Sequence, residues 1–123
     1  MISLTPTDEQ QMLVDAVNRY SCNEVRPIAH DADESGELPN AIVNTGWEIG
    51  ILPGSIPESM GGFGEALSAL TNVLAYEELA YGDLALALRL MTPATVALPL
   101  VLAGTDAQRE AWLPIFLDET PPP

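Results

Sequence analysis

Apolar side chains recur at three- to four-residue intervals along most of the chain, and no stretch alternates with the period of two that a half-buried strand needs. Leu13, Val17 and Tyr20 mark the first helix. It has two candidate starts, Thr5-Pro6 (cap and first helical position) and Thr7 with Gln10 as a capping box. Pro27, without an N–H, is predicted to break or kink it. A short second piece runs from Ile28 to about Asp33 and stops at Ser35-Gly36. Pro39 begins a third helix with Val43, Trp47 and Ile51 on one stripe, where Gly46 and Gly50 leave room for a close neighbour. Residues 53–64 are rich in proline and glycine and read as an irregular loop. Leu67, Leu70 and Leu74 open a fourth helix reaching about Tyr81, and Gly82-Asp83 is a break and a cap. The fifth helix starts at Asp83, is kinked or restarted by Thr92-Pro93, and ends at Gly104. Thr105 with Gln108 caps a sixth through Trp112, whose end Leu113-Pro114 disturbs. The expected class is all-α: one domain over residues 1–123, an irregular bundle of about six helices.

Composition narrows this further. With 123 residues, 47% of them hydrophobic, the chain can build one core but not two. There are 18 acidic residues, four arginines and no lysine, giving a formal charge of −14. Such a surface repels nucleic acid, anionic membranes and free phosphates. One cysteine excludes a disulfide scaffold, and one histidine excludes a histidine-based metal cluster. Residues 1–10 show no signal-peptide pattern, and with the lone cysteine the expected location is the cytoplasm. The stretch 84–103 is long and apolar enough to span a bilayer. Arg89 near its centre, with Pro93 and Pro99, argues instead for a buried central helix pair and no membrane.

Candidate chemistry is sparse. His30 lacks partners for a Ser-His-Asp set, since neither Ser21 nor Ser35 sits in a nucleophile elbow. Cys22 reads as a buried inert thiol, with Arg26 four residues on as the one group able to activate it. Gly61-Gly62-Phe63-Gly64 has no preceding strand and no following Gly-Lys, so it reads as a turn rather than a phosphate loop. Glu77 and Glu78 follow apolar stripe positions, which leaves two readings: at least one carboxylate partly buried with Arg89 its candidate partner, or both in solvent near the helix end. The segment Ala87-Leu88-Arg89-Leu90-Met91-Thr92 mixes small, flexible and polar side chains within an apolar helix, as core packing or an irregular cavity wall would.

Taken in order, several motifs resemble a known family. They are Leu4-Thr5, Glu24-Val25-Arg26-Pro27, Trp47-Glu48-Ile49-Gly50-Ile51, Pro57-Glu58-Ser59-Met60-Gly61-Gly62-Phe63-Gly64, Glu77-Glu78-Leu79-Ala80-Tyr81-Gly82-Asp83, Gly104-Thr105-Asp106-Ala107-Gln108-Arg109 and Trp112-Leu113-Pro114. Together they resemble the N-terminal helical domain of the acyl-CoA dehydrogenase family over essentially the whole chain. The resemblance implies a flavoenzyme of three parts, in which FAD lies between a middle β-domain and a C-terminal helical bundle. It also implies α,β-dehydrogenation of an acyl-CoA in fatty acid metabolism, with a glutamate base from the C-terminal part. This domain would wall the acyl pocket. By position, the substrate-facing residues it implies are Ala87, Leu88, Met91, Thr92 and Thr95. No catalytic residue and no metal ligand is implied here. The chain stops before the β-domain segment that touches flavin, so base, flavin platform and CoA clamp are expected on missing domains or on a separate chain. Inactivity alone is the expectation, with a homo-oligomer left open. The alternative is a stand-alone helical interaction module without catalysis.

Overall fold

A computed structural model describes residues 4–64 and 68–122. Seven α-helical segments appear among them: α1 Asp8–Tyr20, α2 Arg26–Ser35, α3 Asn40–Glu48, α4 Ala69–Gly82, α5 Leu84–Met91, α6 Ala94–Ala103 and α7 Asp106–Trp112. α1 runs into α2 through a π-helical turn, Ser21–Val25, and short 3₁₀ turns sit at Pro53–Ser55, Glu58–Met60 and Leu113–Phe116. Named strands are absent among the described residues. The all-α expectation holds. The count depends on whether α1 and α2, and α5 and α6, are taken as continuous helices.

Local chemistry explains the boundaries. Thr7, not Thr5, caps α1: its hydroxyl accepts from Gln10 N at 3.2 Å and Gln10 Oε1 accepts from Thr7 N at 2.9 Å. The same reciprocal pair joins Thr105 and Gln108 at the start of α7. Asp83 Oδ1 accepts from Leu86 N at 2.7 Å and starts α5. Gly36 ends α2 in the left-handed conformation, φ 72°. Pro27 does not break the first helix. The turn before it widens, Arg26 N donating to Ser21 O five residues back, and the proline falls at the start of α2, where a missing N–H costs little. Leu67 lies outside the described residues, and Ser68 caps α4 by accepting from Thr71 N at 3.2 Å.

α4 packs against α1, the π turn and α5, and α5 also meets α3. Val17, Val25, Ile56, Leu79 and Leu86 are fully buried at this centre. Burying a side chain of that size contributes about 1.5–3 kcal/mol. The α3–α5 approach needs Gly46, where a Cβ would lie 2.6 Å from Leu90 Cδ1 and 2.7 Å from the Tyr20 hydroxyl oxygen. That hydroxyl donates to Ile42 O at 2.6 Å. Trp47 Nε1 donates to Asp118 O at 2.9 Å and ties α3 to the C-terminal segment.

The 84–103 stretch departs from expectation. It is long and apolar enough to cross a membrane by length and composition, yet it is not a central buried pair. Leu86, Ala87, Leu90, Ala94, Ala97 and Val101 face the core, while Leu88 is 56%, Val96 54% and Leu102 71% exposed. Every helical turn carries residues on opposite sides, and only one side of this stretch meets the core.

Candidate functional site: an apolar groove along α5 and α6

Leu88, Thr92 and Val96 stand at successive i, i+4 positions, so they form one stripe across the Pro93 junction. Leu38, Phe116 and Pro122 close the sides of that stripe. The result is an open groove of about 630 Å³, within the range of small-molecule sites. Among the described residues, Arg89 is the only charged one in its lining.

The threonines are tied to their own helices. Thr92 Oγ1 donates to Leu88 O and Thr95 Oγ1 donates to Thr92 O, both at 2.6 Å. Their hydroxyl protons are therefore already used, and Thr92 offers the groove a methyl group and an acceptor rather than a free donor. At the far end, Arg109 holds α6 in place. Its Nε donates to Leu100 O and its Nη2 to Val101 O, both at 3.1 Å, while Asp106 Oδ1 pairs with Nη1 at 3.3 Å. A cation on the last carbonyls of a helix also meets the negative end of its dipole.

Of the five residues marked by sequence, Leu88 and Thr92 share this groove. Thr95 lines a neighbouring depression of about 390 Å³ that has Val96 in common with it. Met91 is half-buried and borders a small cavity of about 10 Å³ between Trp47, Tyr76 and Leu79, enough for one water at most. Ala87 is 2% exposed, in the core. The five are therefore divided: Ala87 and Met91 face inward, Leu88 and Thr92 outward, and Thr95 on α6 borders the neighbouring depression. Val96 could have been found by continuing the i+4 stripe from Thr92. Leu38, Phe116 and Pro122 are distant in sequence and carry no local signal.

The other candidates resolve into structural roles. Glu78 is half-buried, but its partner is not Arg89: Glu78 Oε2 accepts from Asn18 Nδ2 at 2.7 Å. Arg89 lies on α5 and donates instead to Pro122 O at 2.8 Å. Cys22 is half-buried in the π turn, its Sγ 3.8 Å from Asn18 Oδ1. Arg26 is turned away to Tyr81, 4.5 Å above the ring and donating to its carbonyl at 2.8 Å. His30 is a surface residue, 3.5 Å from Glu34. Burial raises the Tyr20 phenol far above its usual pKa, with Glu24 adding to the shift and a backbone hydrogen bond from Gly46 opposing it. Burial raises that of Tyr76 as well.

The glycine loop also fails as a phosphate cradle. The N–H groups of Gly61, Gly62, Phe63 and Gly64 donate to Glu58 O, Pro57 O, Pro53 O and Ile56 O. A Cβ on Gly62 or Gly64 would come within 2.0 Å of a carbonyl oxygen of the same loop. The glycines let the loop close on itself, and no amide is left for a pyrophosphate. This loop therefore does not fit the diphosphate of a dinucleotide.

Comparisons with known proteins agree on one group. The family model for "Acyl-CoA dehydrogenase, N-terminal domain" matches residues 7–120. A (2S)-methylsuccinyl-CoA dehydrogenase of Cereibacter sphaeroides is 39% identical over 109 residues, covering 87% of this chain and 19% of that protein. A probable medium-chain specific acyl-CoA dehydrogenase of Caenorhabditis briggsae is 31% identical over 112 residues, 91% of this chain and 27% of the other. The butyryl-CoA dehydrogenase structure from Megasphaera elsdenii superposes with a TM-score of 0.83 at 26% identity, over 96% of this chain and 31% of that one. The chain thus spans between a fifth and a third of these relatives.

Proposed function

The chain belongs to the acyl-CoA dehydrogenase family as its N-terminal domain, and on that premise we propose that it walls the acyl chain of a thioester undergoing FAD-dependent α,β-dehydrogenation. The observation that carries this reading is the groove along α5 and α6, apolar on most of its lining and large enough for an acyl chain. Leu88, Thr92 and Val96 would exclude water from the chain and set the space it has. The rest of the machinery is assigned elsewhere. The glycine loop offers flavin no diphosphate site, and the −14 charge disfavours the phosphates of CoA. Flavin, base and CoA clamp belong in this reading to residues outside these 123, and the chain alone is inactive.

The test has two arms. First, the purified chain is mixed with FAD, desalted and examined by visible absorption; no flavin should be retained. Second, the chain replaces the matching segment of the Megasphaera elsdenii butyryl-CoA dehydrogenase, and acyl-CoA-dependent dye reduction is followed over a series of chain lengths. The chimera should turn over, and Leu88→Trp should lower kcat/KM for longer relative to shorter acyl chains by about tenfold, the effect of one or two methylenes in an apolar site. Turnover by the isolated chain, or a chain-length profile indifferent to Leu88→Trp in an active chimera, would overturn the proposal.

A further inference from the structure

Two of the four arginines, Arg89 and Arg109, are half-buried, and of these two Arg89 is the one without an ion pair among the described residues. Arg109 has a carboxylate and two helix carbonyls, and Arg26 has the Tyr81 ring and carbonyl. Arg89 forms no ion pair among the described residues of a chain holding 18 acids. It is half-buried, and its one hydrogen bond among them goes to a neutral acceptor, Pro122 O at 2.8 Å. A guanidinium carries five N–H donors in a planar fork matched to a carboxylate. Here the fork borders a groove whose other side chains include Leu38, Leu88, Val96 and Phe116 and whose described lining contains no acidic residue. A partly desolvated cation beside apolar walls, without a counter-ion, is complementary to one kind of small ligand: an apolar chain bearing an anionic head.

We propose that Arg89 is a specificity residue that receives a free carboxylate carried by the acyl group, so that the groove takes thioesters of dicarboxylic acids in preference to simple fatty acyl groups. This rests on the acyl-wall reading above. The aliphatic part of the ligand lies along Leu88, Thr92 and Val96, and its second carboxylate meets the Arg89 fork. The overall negative charge opposes an anion only weakly at this point. At physiological salt, exposed charges act over about 8 Å, and no acid lines the groove among the described residues.

The experiment is a methyl-detected NMR titration of the 123-residue chain with monomethyl suberate and, separately, dimethyl suberate. The two probes have the same backbone and differ in one carboxylate. The monoester should shift the Leu88 and Val96 methyls at a concentration about tenfold lower than the diester, the effect of one hydrogen-bonded charge pair. Arg89→Gln should abolish that difference and Arg89→Lys should retain part of it, each variant checked for native helix content by circular dichroism. Equal affinities at Leu88 and Val96, or a difference that survives Arg89→Gln, would overturn the carboxylate site while leaving the acyl wall standing. Shifts elsewhere and none at these methyls, with either probe, would overturn the acyl wall itself. No shift anywhere with the monoester would overturn the carboxylate site.

Discussion

Replacing Gly46 by alanine separates two accounts of the same residue. If Gly46 were only a weak point in α3, alanine would stabilise the helix by about 1 kcal/mol, the propensity difference between the two residues. The structure gives a different sign. The new Cβ would lie 2.6 Å from Leu90 Cδ1, 2.7 Å from the Tyr20 hydroxyl oxygen and 3.0 Å from Tyr20 Cζ. The Leu90 methyl is the end of a flexible side chain, although Leu90 is only 6% exposed and has little room to turn. The phenol is less free, because its hydroxyl is anchored to Ile42 O at 2.6 Å and its ring is 4% exposed. Overpacking of this kind costs about 1–3 kcal/mol, and displacing the phenol from its acceptor adds about 1–3 kcal/mol. Set against the propensity gain, Gly46→Ala should destabilise by about 1–5 kcal/mol. Urea unfolding followed by tryptophan fluorescence would measure it. Tyr20→Phe supplies the internal control. It removes the oxygen 2.7 Å from the new methyl, so the double variant should lose less than the sum of the single losses. A stabilised Gly46→Ala protein, or strict additivity with Tyr20→Phe, would refute the close approach of α3, α5 and the Tyr20 phenol.

Other parts of the fold make their own predictions. Gly64→Ala would place a methyl 2.0 Å from Gly54 O, which is backbone and cannot rotate away, so it should cost about 3 kcal/mol by thermal unfolding, and a change under about 1 kcal/mol would contradict the closed loop. The fully buried Ser21 Oγ has no hydrogen-bond partner among the described residues, so Ser21→Ala should leave urea stability unchanged or raise it by up to about 1 kcal/mol, and a clear loss would reveal a partner. Arg109→Met keeps an unbranched apolar stem but removes the bonds to Leu100 O and Val101 O, and should destabilise by about 1–3 kcal/mol, with the α6 C-terminal amides losing hydrogen-exchange protection. The Tyr20 phenol is raised in the fold from its usual 10.0, so the unfolded chain releases the proton first. Stability should therefore be full below pH 10.0 and fall as the pH rises above it, and Tyr20→Phe should remove part of that slope, Tyr76 supplying the rest.

Features governed by neighbours along the chain are legible in the sequence itself. The Thr105–Gln108 box, the Asp83 cap and the Gly36 stop are bonds over two to four residues, and the residue types needed are few. The course of the chain at Pro27 is not legible there, because it depends on whether the preceding turn widens. The π turn does so while keeping Ser21 and Val25 buried, so packing decides against a break. The pairing of Glu78 with Arg89 fails for a related reason. Charge suggests a partner, but orientation around a helix decides it, and Asn18 on α1 lies nearer the α4 face that carries Glu78. The groove is half legible. Leu88 and Thr92 are implied by the family resemblance, whereas Leu38, Phe116 and Pro122 enter only through the tertiary fold.

α6 shows why its stretch reads as core although half of it is not. Its inward residues Ala94, Ala97 and Val101 are small, which lets the helix lie close to its neighbours. Its outward residues Val96 and Leu102 are as large or larger and are mostly exposed. A helix packed only within this chain would carry the larger apolar groups inward and polar groups outward. α4 also has an apolar residue on its outer side, Val73, which is exposed opposite buried Ala75 and Leu79. An apolar outer face in a chain of formal charge −14 adds nothing to the solubility of the chain itself. Its chemistry suits cover by apolar material, and the chain corresponds to only 19–31% of the relatives it matches. Where that outer face becomes concave, between Leu38, Phe116 and the α5–α6 junction, the same physics gives a groove wide enough for a ligand, and among the described residues the one charge placed there is the guanidinium of Arg89.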